Sequence, residues 1–298
     1  MAKIETLVDD IQTLLVEGIS EPDTELCNKY GAMFSKLLQE RMKREERKGT
    51  LRMSNAGKPC ERQLYYEVNS PEEGEQYTYD LYAKFFFGDM IELFLLFLSE
   101  AAGHKVEGTQ DTQEIEGILG HRDAVIDGMV VDAKSASSFA FKKFANGTLA
   151  SDDAFGYIDQ LGGYRHAGKD DPIVTIKDRA GFLVMDKVLG KICLDIHKDT
   201  GKDYSTFMKH KKDVVNGSTV PERGFEPIPE GASGNKKLGV NCQYCSFKTK
   251  CFPNLRGFAY SHGPVFLSTV VREPKVPEID LGTNGLSEEE RVFQDVLS

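Results

Sequence analysis

Asp123, Asp132 and Lys134, in the stretch GHRDAVIDGMVVDAKSA (Gly120 to Ala136), have the types and spacing of a hard-cation site. An Asp-Gly pair between two apolar, β-branched runs predicts a two-residue type I′ hairpin turn at Asp127 and Gly128. Counting outward pairs Ile126 with Met129, Val125 with Val130, Ala124 with Val131, and Asp123 with Asp132. That register sets the two carboxylates face to face, with Cβ atoms roughly 4.5–5.5 Å apart. Lys134, two residues further on, points to the same side. Facing like charges destabilise a sheet, and one lysine offsets only part of that cost. A divalent cation with hard oxygen ligands, Mg²⁺ or Mn²⁺, offsets it fully, with the carbonyl of Ala133 also in reach. Lys134 could then orient or deprotonate a water at the metal and neutralise an attacked phosphate. The competing reading is a solvated hairpin with ordinary surface charges, which the apolar Ala-Val-Ile and Met-Val-Val runs disfavour.

The elements that must position these groups follow from the hydrophobic periodicity. Ile4, Leu7, Ile11 and Leu14 recur at helical spacing, and a second helix is predicted from Thr24 to Arg47. A polar loop over Asn69 to Gln76 precedes a helix from Leu81 to Ala102. Between Gln113 and Ala136 short β-type runs are broken at Gly120 and at Asp127-Gly128. A helix over DDAFGYIDQLGGYRHAG is expected to be capped by Ser151 or Asp152. GFLVMD and KICLDI read as paired strands around a turn near Gly190. Helices flanking a small central sheet make this an α/β or α+β fold. From Arg272 onward an extended acidic tail is expected, with a short helix at SEEERVFQDVL capped by Ser287 and Glu290.

A formal charge of −10 argues against a general polyanion binder and leaves nucleic-acid contact to local basic stretches. These are Arg41 to Lys48, Lys142 with Lys143, and Lys209 to Lys212; a solvated helix face competes for the first. No run approaches the roughly 18 apolar residues of a membrane span. The densest, Met90 to Leu98, is interrupted by Glu92, and the acidic N-terminus lacks an apolar signal core. A cytoplasmic protein without membrane contact is therefore expected, and its six cysteines are not expected to form disulfides.

GHRDAVIDG and VVDAKSA resemble the core of the PD-(D/E)XK nuclease superfamily, in its RecB-like exonuclease branch. Gly120 and Asp123 match G-x-x-D, and Asp132, Ala133 and Lys134 match (D/E)-x-K, with Asp where the branch more often has Glu. Gln160 and Tyr164 in QLGGY match the Q-x-x-x-Y motif of the next helix, one face at i and i+4. Gly162 and Gly163 between them weaken that helix by about 1 kcal/mol each, a cost that close packing against the sheet would explain. Gly88 and Glu92 in GDMIE fit the upstream G-x-x-x-H/E element, although iron–sulfur members commonly carry His there. A glutamate within so apolar a run is costly to bury unpaired, and a metal is a good partner; the wet stripe of an amphipathic helix, with Asp89 and Ser99, is the rival reading.

Cys242, Cys245 and Cys251 crowd into CQYCSFKTKC, and a metal site needs a fourth thiolate. Cys60 in GKPCERQLYY resembles the leading C-x-R-x-x-Y-Y element of iron–sulfur RecB-like nucleases, with Arg62, Tyr65 and Tyr66 matching. Four thiolates suit a 4Fe–4S cluster, structural Zn²⁺ being the alternative and free thiols the third reading. Joining residues 182 apart (Cys60 to Cys242) would tie distant segments together, a structural role. Cys27 and Cys193 are expected to be ordinary buried residues.

The resemblance implies a restriction-endonuclease-like core with a central mixed sheet flanked by helices. It comprises an N-terminal helical region (1–50), the nuclease core closed by the cysteine cluster (51–256), and a C-terminal extension (257–298). It implies a Mg²⁺- or Mn²⁺-dependent DNA exonuclease of recombination, repair or phage DNA metabolism. Glu92, Asp123, Asp132 and the Ala133 carbonyl would hold the metal, Lys134 would activate water, and Gln160 and Tyr164 would position DNA. Arg62, Tyr65, Lys142, Lys143 and Lys187 are the implied DNA contacts. DNA, recombination or helicase proteins, and further copies of the chain are the implied partners. A structure-selective endonuclease with the same site and a non-catalytic iron–sulfur DNA-binding subunit are the rivals.

Overall fold

The computed structural model describes residues 3–43 and 48–281. Helices are α1 (Leu7–Glu17), α2 (Thr24–Met42), α3 (Met53–Ala56), α4 (Glu61–Asn69), α5 (Tyr79–Ala101), α6 (Ser138–Ala145), α7 (Tyr157–Ala167), α8 (Tyr204–Asn216), α9 (Val240–Gln243) and α10 (Lys248–Cys251). Strands are β1 (Val106–Glu107), β2 (Thr112–Ile115), β3 (Ile118–His121), β4 (Ala124–Ile126), β5 (Met129–Ala136), β6 (Ile176–Asp186) and β7 (Ile192–Lys198). Five shorter or later strands follow: β8 (Ile228–Pro229), β9 (Lys236–Lys237), β10 (Arg256–Tyr260), β11 (Gly263–Thr269) and β12 (Glu278–Ile279). The fold is mixed α/β. Two compact units interleave in sequence, cutting across the expected boundaries at 50 and 256. The first takes Met1–Glu46, Leu51–Gly57 and Ala83–Lys212; the second takes Arg47–Thr50, Lys58–Tyr82 and Asp213–Ser298.

The first unit is built on a mixed sheet of order β1-β4-β5-β6-β7. Only β5 and β6 run parallel, as their connection through α6 and α7 requires. The other pairs are antiparallel. Strand alternation sends Met129, Val131 and Ala133 to one face, where they pack with Ile4, Leu7, Ile11 and the α5 residues Leu95 and Leu96. Val130 and Ala136 go to the other face, against Phe144, Leu161 and Phe182. Thus the N-terminal helical stripe is a core face, as its spacing predicts. α2 starts at Thr24 because the Asp23 carboxylate accepts the Glu25 and Leu26 N–H groups. It ends at Met42 rather than Arg47, since Lys43 is already extended, and residues 44–47 lie outside the described residues.

The hairpin register is Ala124↔Val131, Val125↔Val130 and Ile126↔Met129. Its turn residues Asp127 (φ 48°) and Gly128 (φ 84°) both occupy the left-handed region, as a type I′ turn demands. The Asp127 carboxylate meets the fully buried His104 ring at 2.6 Å, and the far side of that ring meets Asp10 at 3.2 Å. The preceding break is not at Gly120, which lies inside β3. It is at Glu116 and Gly117, a second left-handed pair between β2 and β3.

The cap of α7 also differs from expectation. Gly156 (φ 77°) is the N-cap, and Asp153, rather than Ser151 or Asp152, accepts from the Gly156 and Ile158 N–H groups. A competing turn, the 3-10 stretch Leu149–Ser151, takes up the residues that look like caps.

The second unit carries an antiparallel sheet of order β12-β10-β11-β9-β8. The expected extended tail is therefore structured up to residue 281. Arg256 pairs with Glu273 and Glu278, both at 2.6 Å, and fastens β12 to β10. Asn235 receives the Val271 and Arg272 N–H groups. The predicted helix with Ser287 and Glu290 lies outside the described residues. The loop expected over Asn69 to Gln76 contains a 3-10 turn, Pro71–Glu73, whose Glu73 pairs with Lys250 at 2.5 Å.

Candidate functional site

Alternation along β5 sends Asp132 and Lys134 to the α6/α7 face, beside Phe182 and Val184 of β6. Asp132 is 2% exposed. Its Oδ2 sits 2.6 Å from Lys134 Nζ and accepts no hydrogen bond of good geometry. Its Oδ1 accepts from Gln160 Nε2 at 3.3 Å.

Asp123 does not complete the expected rung opposite Asp132. β4 stops at Ala124, and the Asp123 carboxylate instead accepts the Ala133 N–H at 2.8 Å. The strand end leaves that amide without a β4 partner, and a buried amide must find an acceptor. The fully buried Arg122 braces the segment by pairing with Asp111 and Asp171 at 2.8 and 2.7 Å.

Glu92 enters from α5, where Gly88 passes Ser135 at a distance that would also admit a Cβ, its nearest contact being Ser135 Oγ at 3.5 Å. The rival wet-stripe reading fails at Ser99. Asp89 pairs with Arg41, and Ser99 is buried with its hydroxyl donating to the Leu95 carbonyl. Glu92 Oε1 accepts from Gln110 Nε2 at 2.6 Å.

The electrostatics are those of crowded anions. Burial, then the charges of Asp132 and Glu92, push the Asp123 carboxyl well above its ordinary range. Burial and the Asp132 charge push Glu92 up to about 7. Burial opposes the charge on Lys134, but Asp132 and Asp123 outweigh it and hold the ammonium protonated. Lys134 in this arrangement is suited to neutralising a phosphate.

Tyr164 is buried on the same helix as Gln160. It is 3% exposed, packed in the core where a Cβ on Gly120 would lie 2.8 Å from its hydroxyl. Its hydroxyl hydrogen-bonds the His121 backbone, within reach of the Asp132 and Asp123 charges. The glycine pair of α7 is explained by close packing, against α8 and not the sheet. A Cβ on Gly162 would fall 1.9 Å from the Tyr204 hydroxyl, whose ring is buried. Gly162→Ala is therefore expected to destabilise by about 1–3 kcal/mol despite the better helix propensity of alanine, read as a lower urea midpoint.

Two residues that the sequence motifs passed over join the cluster. Tyr157 places its ring centroid 5.4 Å from Lys134 Nζ. It lies three residues before Gln160, so helical periodicity could have found it. Gln110 is the other, and no spacing rule signals it.

The outlying DNA candidates divide. Lys142 and Lys187 are exposed. Lys143 is paired with Asp152 at 2.5 Å, Lys209 with Glu116 at 3.5 Å, and Lys212 donates to the Glu116 carbonyl. Arg62 and Tyr65 belong to the second unit, among its cysteines.

In that unit Cys245 is buried with Tyr66 and Phe247, and Cys251 and Tyr65 pack against them. Burial pushes the Cys242 thiol up to about 11, with Cys60 and Cys251 adding to it. Burial likewise pushes Cys245 up to about 12, again with Cys251 and Cys60 contributing. The four thiols thus lie within electrostatic reach of one another. Arg62 hydrogen-bonds Cys251, stacks 5.5 Å from the Tyr66 ring centroid and donates to the Pro221 carbonyl, which makes it a brace of this site. Of the other cysteines, Cys27 is exposed, contrary to expectation, on a helix that buries Tyr30 alone. Cys193 is half-buried, its thiol pushed up to about 12 by burial and Asp195.

Both donor sets suit the groups that the motifs imply: hard carboxylates for Mg²⁺ or Mn²⁺, and soft thiols for iron–sulfur or zinc. The buried Asp132 carboxylate, already 2.6 Å from the Lys134 ammonium, suits a cation in particular. Among the described residues, however, no three such side chains stand ready to hold an ion as they are placed. One oxygen of Glu92 is engaged by Gln110, and one oxygen of Asp123 by the Ala133 amide.

No family model and no curated protein matches the chain. Among solved structures it is similar to SSO0001, with a TM-score of 0.41 and 17% identity over 73% of this chain and 93% of that one. So loose a superposition assigns no function. No helix among the described residues is long and apolar enough to cross a membrane.

Proposed function

We propose that the chain is a divalent-metal-dependent deoxyribonuclease of PD-(D/E)XK type, acting on DNA ends. The observation that carries this reading is the gathering of the Glu92 and Asp123 carboxyls, protonated Lys134 and Gln160 around Asp132, three carboxyls against one ammonium. A stably folded protein keeps such an imbalance only with protons or a bound cation. Asp132, Asp123 and Glu92 would hold the ion, which when bound supplies Lewis-acid polarisation of a phosphodiester and a water of lowered pKa. Lys134 neutralises charge on the attacked phosphate, and Gln160 fixes the Asp132 carboxylate. Tyr157 limits the motion of Lys134. The cysteine unit is read as a structural 4Fe–4S site, with zinc as the alternative.

End-labelled linear DNA and circular DNA, incubated with Mn²⁺, test the reading. Wild type is expected to release nucleotides from the linear substrate, and Lys134→Ala to lose about 10²-fold or more of that rate. Cleavage of circular DNA would favour an endonuclease. No cleavage of either, with the variant indistinguishable from wild type, would sink the nuclease proposal.

A further inference from the structure

Gln110 is held in a conformation that few side-chain-bearing residues adopt, at φ 58°. Non-glycine residues in the left-handed region are uncommon and cost free energy, and such strain gathers at functional sites. What the conformation achieves here is specific. It turns the Gln110 backbone N–H to the main-chain carbonyl of Asp123 at 3.3 Å. It also aims the side-chain amide, from an otherwise exposed position, at Glu92 Oε1, 2.6 Å away. One residue thereby fixes two of the three carboxylate-bearing segments, one through its main chain and one through its side chain. Glu92 has no other side-chain partner described, and the opposing charges of Asp132 and Asp89 work against its ionised form.

We infer that Gln110 is a positioning residue that orients Glu92 as a metal ligand, an inference that rests on the divalent-cation reading of the site. The amide donates to one carboxylate oxygen, which favours the ionised form and leaves the second oxygen for the ion. Carboxylate ligands are commonly hydrogen-bonded in this way, and loss of such a partner typically lowers metal affinity by about 10–100-fold. A purely structural role for the turn predicts something else: loss of stability traceable to backbone strain, with no dependence on the amide.

Mn²⁺ binding to the intact chain, followed by the electron paramagnetic resonance signal of the free ion, separates these roles. Gln110→Ala removes the amide and keeps the strained backbone, whereas Gln110→Gly removes the amide and relieves the strain. Both are expected to bind Mn²⁺ about 10-fold more weakly than wild type, with Gln110→Ala no more than slightly less stable in urea. Gln110→Glu, which sets a further anion against Glu92, is expected to leave the deficit unrepaired. Unchanged or tighter Mn²⁺ binding in both the alanine and glycine variants overturns the assignment while leaving the metal reading intact. Absence of saturable Mn²⁺ binding by wild type overturns both. Weakening in Gln110→Ala that Gln110→Gly restores would show that the backbone matters and the amide does not, which also overturns it.

Discussion

Asp123→Asn is expected to make the metal-free protein more stable and to remove Mn²⁺-dependent DNA cleavage by about 10³-fold or more. Opposite signs in stability and activity distinguish a ligand cluster from a structural one. The Asp123 carboxyl is pushed far up by burial and by Asp132 and Glu92, so its anion is a net cost to the fold when no cation balances it. Asparagine has nearly the same shape, and its oxygen can still accept the Ala133 N–H now held at 2.8 Å. Lys134 keeps its direct partner Asp132, so the substitution leaves no buried cation unpaired. The uncharged side chain is expected to raise the urea midpoint in chelator at pH 7.5. A less stable variant would mean that repulsion does not dominate this cluster. Cleavage close to wild type would remove Asp123 from the machinery.

The second large effect is on pH. Glu92 titrates near 7 in the folded chain, against about 4.5 unfolded. Below pH 4.5 it carries a proton in both states, and the stabilisation is fully present. Between pH 4.5 and 7 the folded state binds the proton more tightly, so rising pH favours unfolding. Through pH 7 that stabilisation is lost, at about 3 kcal/mol in chelator, and Asp123 acts in the same direction. His166, lowered by burial and by Lys169 and Arg165, shifts stability the opposite way, so the Glu92 share is the difference between wild type and Glu92→Gln. Urea midpoints at pH 5 and pH 8 are expected to diverge between the two proteins, and saturating Mn²⁺ to shrink the gap by taking the place of the proton. Parallel pH dependences, or no effect of Mn²⁺, would contradict the site's electrostatics.

Much of the first unit was legible locally. The Asp127-Gly128 turn and its three apolar rungs follow from turn chemistry and side-chain alternation, which are short-range properties. The Ile4, Leu7 and Ile11 stripe and the pairing of β6 with β7 follow from periodicity in the same way. Caps and strand ends were less legible because several groups compete for each amide. Asp153 outcompetes Ser151 and Asp152 for the start of α7, and the Asp123 side chain takes an amide that a longer β4 would have paired.

By itself the sequence singled out the candidates for chemistry: Asp123, Asp132 and Lys134 around one turn, Gln160 on one helix face, and Cys60 with the group Cys242, Cys245 and Cys251. Only the tertiary structure decided how each is placed. Whether Lys134 holds its proton depends on the burial and charge around it. Whether Tyr164 is buried depends on the packing of Gly120 and the residues beside it. That Gln110 reaches Glu92 depends on one left-handed backbone angle and on where α5 passes the sheet. Burial, charge coupling and long-range contacts are properties of the assembled chain, and no local spacing encodes them.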